Sequence, residues 1–174
     1  MNIDERINRL THFIQTHNQF IEDSLLWPAI QDTLDCTKQQ AMDIAKTHCN
    51  FLSFYGILWI NGWIKESYSE FYRFCLDKGY ISIKGYFYVL KENIFTDLGL
   101  NIELIKTPFS DLYNAGIYQL KIINSHGTHF IACYSRGDVM FICDSNKRGI
   151  GVTLNTGLLP GDRKIWIKEY RLIK

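Results

Sequence analysis

THCNFLSFYGILW, Thr47 to Trp59, sets a cysteine between polar residues that form helices poorly and a run of bulky apolar ones. Upstream, TKQQAMDIAK reads as a helix, with Thr37 as its cap and Gln40 three residues on as in a capping box. The weak formers Thr47, His48 and Asn50 predict a break, and a new helix from Cys49 to about Trp63. The break decides what Cys49 is. In mid-helix it is a small core residue, as most free cysteines are. At a helix start, the positive end of the helix favours a thiolate.

On the N-terminal side, Ile7, Leu10, Phe13, Ile14, Phe20 and Ile21 recur at amphipathic spacing, predicting a helix from Asp4 to about Leu26. Pro28 ends it or bends the next segment. On the C-terminal side, YSEFYRFCLDKGYI reads as a short helix stopped by Gly79, and VLKENIFTDLGL as another stopped by Gly99. The aromatics Tyr68, Phe71, Tyr72 and Phe74 read as a core face.

The period then changes. NIELIK, IYQLKII, THFIACY, VMFICD, GIGVTL and KIWIKEYRL are short and rich in β-branched and aromatic residues, and read as strands. SRGD, Ser135 to Asp138, is a hairpin turn between two of them. The fold class is therefore α+β, with a helical N-terminal half packed on an antiparallel sheet from the C-terminal half. At 174 residues the chain is read as one domain, 1–174, in which 1–36 is an N-terminal helical extension.

Composition narrows the function. Nineteen basic and 18 acidic residues nearly cancel, with no basic block, so nucleic acid is not an expected partner. The start MNIDERINRL lacks the apolar core of a signal peptide. The longest apolar stretch, Phe51 to Ile64, is interrupted and too short to span a membrane. No membrane partner and a cytoplasmic location are expected. Five cysteines, an odd number without a CxxC pair, argue against a disulfide framework and a zinc ribbon, although Cys133 and Cys143 could meet across the hairpin.

Cysteine catalysis needs a thiolate, an imidazole to carry the proton and a group to orient the imidazole. His129 stands at the start of the strand HFIACY, and Asp144 ends the next strand. A tight hairpin sets those two ends side by side at one edge of the sheet. A helix packed on that sheet could aim Cys49 at the same edge.

The order of Cys at a helix start, His–aromatic opening a strand and Asp about fifteen residues later resembles the papain-like cysteine peptidases. The branch it is most similar to is the compact bacterial one that includes bacteriocin-leader peptidases. CNFLS, Cys49 to Ser53, resembles that branch's nucleophile segment. GTHFIACY resembles its histidine segment, with one residue inserted after Gly127, and CDSN, Cys143 to Asn146, its acid segment. DKGYISIKGYFYVLKENIFTDLGL also looks like spirochaete plasmid proteins of this type. The match covers roughly residues 37–155.

The resemblance implies a papain-like thiol hydrolase, a cysteine peptidase or amidase. Its triad would be Cys49, His129 and Asp144, it would need no cofactor or metal, and its substrate would be a peptide or protein. The oligomeric state is left open. Two departures stand out. Such enzymes carry a glutamine about six residues before the nucleophile, whose amide stabilises the oxyanion. Here that position is Asp43, and Gln40 is the nearest candidate. Ser145 stands where proline is usual.

Alternatives remain at several positions. IQDTLDCTKQQAM puts Gln31 five residues before Cys36, making Cys36 the alternative nucleophile if one helix runs unbroken from Thr37 to Trp63. Asn146 is an alternative orienting residue, and Asp144 a plain turn cap. His48 is a second candidate base. His126, His129 and Cys133 suggest a metal set only weakly, because 126 lies in the turn while 129 and 133 share a face. A papain-like fold that binds without hydrolysing is the alternative function, and the missing glutamine favours it.

Overall fold

The structure, a computed structural model, describes residues 1–20, 23–82, 93–107, 115–124, 127–137, 139–146, 151–154 and 164–173. Among these, six helices precede six strands: α1 Ile3–Thr16, α2 Leu26–Leu34, α3 Lys38–Ala45, α4 Cys49–Ile60, α5 Tyr68–Asp77, α6 Asn93–Asp97, β1 Ile102–Thr107, β2 Gly116–Asn124, β3 Gly127–Ser135, β4 Val139–Cys143, β5 Gly151–Leu154 and β6 Lys164–Leu172. This is the expected α+β division.

The N-terminal stretch corrects the sequence reading of a single helix from Asp4 to Leu26. Helix α1 starts on a cap, Asn2 Oδ1 accepting the Glu5 N–H at 2.8 Å, and stops at Thr16. After it, Asn18 Oδ1 accepts the Phe20 N–H at 2.8 Å. That local bond is an alternative to the helical ladder. The chain then starts again as α2. Pro28 is the third residue of α2 and belongs to its first turn. There an absent N–H removes no intrahelical bond, so the proline neither ends nor bends the helix.

The predicted break before Cys49 is present. Helix α3 carries the Thr37–Gln40 capping box and ends at Ala45. Helix α4 begins at Cys49, and nine of its twelve residues are buried. It is apolar on nearly every side, which marks a helix enclosed by protein. Helix α1 crosses it closely: a Cβ on Gly56 would lie 2.9 Å from the Phe13 ring. Helix α5 carries a second capping box, Ser67 with Glu70. Gly79 and Gly99 follow α5 and α6 at φ of 73° and 68°, as helix stops do.

The sheet is antiparallel, in the order β1-β6-β2-β3-β4-β5, so the last strand inserts between β1 and β2. Its register sorts the side chains. Gln119, Ala132 and Cys143 are aligned across β2, β3 and β4. Their face meets the helices, in a core that runs from Leu10, Phe13 and Ile14 through most of α4 to Ala132, Cys143 and Tyr170. Residues from the N-terminal stretch are thus part of the main core. Tyr118, Leu120, Ile122, Ile131, Cys133 and Ile142 alternate with that face and form a second buried cluster.

Cys133 pairs with Ile142, one position from Cys143. The two sulfurs therefore project from opposite faces, and both are free thiols. The alternative that they meet across the hairpin is thereby closed. Of the predicted SRGD turn, Asp138 lies outside the described residues. Among the described residues no helix is long and apolar enough to cross a membrane.

Candidate active site

The nucleophile candidate is placed by anchoring of the first turn of α4. The Gln119 amide, from β2, donates to Asn50 O at 3.1 Å, to Asn50 Oδ1 at 3.1 Å and to Ser53 Oγ at 2.7 Å. Gln119 is itself held by the Tyr170 hydroxyl, which donates to its Oε1 at 2.7 Å. All but Asn50 are buried. The helix start is therefore bonded to β2, and through Gln119 linked to β6, and Cys49 is left half-buried at its first position.

The imidazole candidate lies two residues into β3. His129 Nε2 is 2.7 Å from Asp144 Oδ1, and both side chains are about one-fifth exposed. Asp144 comes directly after β4. Its Oδ1 also accepts the Asn146 N–H at 2.9 Å, an Asx turn that fixes the carboxylate. The two readings of Asp144, turn cap and imidazole partner, hold at once.

The Cys49 side chain lies close enough to the His129 ring to add to its charge balance. Burial opposes charge on that ring, yet the hydrogen bonds and charges of Asp144 and Cys49 outweigh it and raise the pKa from 6.5 to about 9. His129 is thus protonated at neutral pH, between a carboxylate and a sulfur. The structure brings Cys49, His129 and Asp144 together, from α4, β3 and the turn after β4.

The other candidates are placed elsewhere. Gln40 is exposed in the first turn of α3, and its Oε1 accepts the Thr37 N–H at 2.9 Å. It is committed to the cap, and none of its contacts leads to Cys49. Asp43 is exposed and takes the Gln39 amide at 3.0 Å. Asn146 reaches the site through its backbone N–H, and its exposed side chain does not take the ring nitrogen that Asp144 holds. Cys36 lies between α2 and α3, one residue before the Thr37 cap, and packs against the main core beside Tyr72. The unbroken helix from Thr37 to Trp63, on which the case for Cys36 rested, is absent, because the chain turns at residues 46–48.

His48 is fully buried, with Nδ1 2.9 Å from the Tyr68 hydroxyl. Burial lowers its pKa to about 3, so it stays neutral and enclosed. Burial pushes the thiols of Cys75, Cys133 and Cys143 well up, which leaves them packing residues. Among the described residues no group of three His, Cys, Asp or Glu is arranged to hold a metal ion, and His126 lies outside the described residues.

One residue of this region escaped the sequence reading. Gln19, between α1 and α2, donates from Nε2 to Ala45 O at 3.0 Å and to Lys46 O at 3.2 Å. Its Oε1 accepts the Ser145 hydroxyl, and its backbone N–H donates to Ser145 O at 3.0 Å. Its partners are 26 and 126 residues away, so no local pattern announces it. No protein-family profile and no curated protein matches the chain.

Proposed function

We propose that this protein is a papain-like cysteine hydrolase acting on an amide or peptide bond. The observation that carries the reading is the chain of contacts from Cys49 through the His129 ring to Asp144 Oδ1. Asp144 occupies Nε2, which leaves Nδ1 as the nitrogen for the sulfur. With His129 protonated, a positive charge faces the sulfur, and the start of α4 adds the positive end of a helix.

In this mechanism the Cys49 thiolate attacks the carbonyl carbon. The C=O electron pair moves onto oxygen, near the backbone N–H groups at the start of α4. His129 gives its Nδ1 proton to the leaving amine as the C–N bond breaks, and an acyl-thioester remains on Cys49. The now neutral ring takes a proton from water, whose oxygen attacks the thioester. The thiolate leaves, and His129 is again protonated. Asp144 holds the ring in the tautomer and orientation that both steps need.

The second reading is a binding module of the same shape with hydrolysis lost. One observation favours it: neither Gln40 nor Gln19 offers a free amide N–H to an oxyanion at Cys49, since Gln40 serves a cap and both N–H groups of Gln19 are taken. Loss of such a donor costs roughly 10²–10³ in rate in a well-studied protease, so this argues for a slow enzyme before it argues for none.

The test is acylation by an activated ester, then mass analysis of the trapped protein. The hydrolase reading expects an acyl group on Cys49 that turns over, no adduct there in Cys49→Ala, and an adduct that forms slowly and persists in His129→Ala. An adduct distributed over exposed cysteines without turnover would favour the binding module. Turnover that diverts to an added amine would make the protein an acyl transferase.

A further inference from the structure

We propose that Gln19 is the positioning residue of this site, its single buried amide holding the turn that carries Asp144 against the segment that leads into Cys49. The inference rests on the triad reading above. The nucleophile and its imidazole partners come from chain segments 80 residues or more apart in sequence, so some contact must fix the separation between the two groups of segments. On the sheet side of α4, Gln119 and Tyr170 fix the helix start. On the other flank stands Gln19.

All of its side-chain hydrogen-bonding groups are used. Its two amide hydrogens go to the carbonyls of Ala45 and Lys46, the last residue of α3 and its C-cap. Those carbonyls lie at a helix end, where backbone acceptors lack helical partners. Its amide oxygen takes the hydroxyl of Ser145, the residue after Asp144. Gln19 and Ser145 are 5% and 6% exposed, so the bonds form without competing water and are costly to leave unmade.

The chemistry requires an amide. A carboxylate would face two carbonyl oxygens with no hydrogen to give, and an alkyl side chain would leave the buried Ser145 hydroxyl without its acceptor and the two carbonyls without this donor. Ser145 is explained by the same contact: a proline in its place would have no hydroxyl to donate. Gln19 touches no reacting atom and works through the distance it sets between Asp144–His129 and Cys49.

The experiment compares the full chain with Gln19→Met, Ser145→Ala, His129→Ala and, as a control for plain destabilisation, Tyr80→Phe, which loses a bond to Asp97 Oδ2 beyond the end of α5. Three quantities are read: the His129 ring titration by NMR, the alkylation rate of Cys49 at pH 7, and the unfolding temperature. In Gln19→Met, which removes the amide without adding charge, the His129 midpoint is expected to fall from about 9 toward 6.5 and Cys49 alkylation to slow by roughly tenfold. Ser145→Ala should move both the same way by less. Tyr80→Phe should lower the unfolding temperature and move neither.

If Gln19→Met does not fold, Ser145→Ala is judged by the same criterion. An unchanged midpoint and rate in the folded variant, with His129→Ala still slowing Cys49, would overturn the role of Gln19 alone. Were His129→Ala to leave Cys49 alkylation untouched, the triad reading would fail, and Gln19 would still be judged on the His129 midpoint.

Discussion

Asp144 Oδ1 stands 2.7 Å from His129 Nε2, and the same oxygen is held from behind by the Asn146 N–H. A carboxylate fixed from two sides makes a firm partner for an imidazolium. Asp144→Asn keeps the shape and removes the charge. We expect the His129 midpoint to fall from about 9 by at least one unit, read by NMR on the ring protons. Cys49 alkylation near pH 8 should slow in parallel, because the ring is then neutral over more of the range.

Stability should peak near pH 6.5. His129 has a folded pKa above its unfolded value, so its contribution is complete below about 6.5 and is lost as pH rises through about 9. His17 and His48 have folded values lowered by burial to about 4 and about 3. Their contribution is complete above 6.5 and is lost as pH falls toward those values. Unfolding temperature measured from pH 4 to 9 should therefore rise and then fall. In His129→Gln the decline between pH 6.5 and 9 should flatten while the acid side keeps its slope.

Gly56→Ala tests the crossing of α1 over α4. A Cβ there meets the buried Phe13 ring at 2.9 Å, so the ring must shift. Overpacking of this kind costs about 1–3 kcal/mol, which exceeds the gain in helix propensity of about 1 kcal/mol from replacing glycine. Denaturant unfolding should show a net loss, and Phe13→Leu in the same chain should relieve part of it.

Tyr170→Phe removes the hydroxyl that holds Gln119 Oε1 and leaves a buried amide oxygen unpaired. The expected cost is about 1–3 kcal/mol. Because Gln119 carries the start of α4, hydrogen exchange of amides near Asn50 should speed up. If exchange there matches the parent protein, the first turn is held by its apolar packing alone.

Much of this was legible in the sequence because the signals were local. Six strands were marked by their short length and their β-branched and aromatic content, and each is present at the expected place. The Thr37 and Gly79 signals located a helix start and a helix stop, and weak helix formers at 47–50 located the break that puts Cys49 first in α4. The N-terminal misreading has a local cause as well. Apolar spacing continued through Phe20, but the helix stops at Thr16, and beyond it the Asn18 side chain takes the Phe20 N–H in place of a helical carbonyl.

What the sequence hid is long-range. Gln19, Gln119 and Tyr170 acquire their roles from partners 26 to 126 residues away. Gln40 showed the converse: it was a candidate oxyanion donor by proximity in sequence, and its capping bond commits it elsewhere.

The central claim is tested most directly by the alkylation rate of Cys49 at pH 6.5, with half-buried Cys36 in the same molecule as internal reference. Peptide mapping after a timed pulse of iodoacetamide gives both rates at once. The account predicts that Cys49 reacts at least roughly tenfold faster than Cys36, and that His129→Ala removes the difference without changing Cys36. Equal rates for the two cysteines, unchanged by His129→Ala, would contradict it.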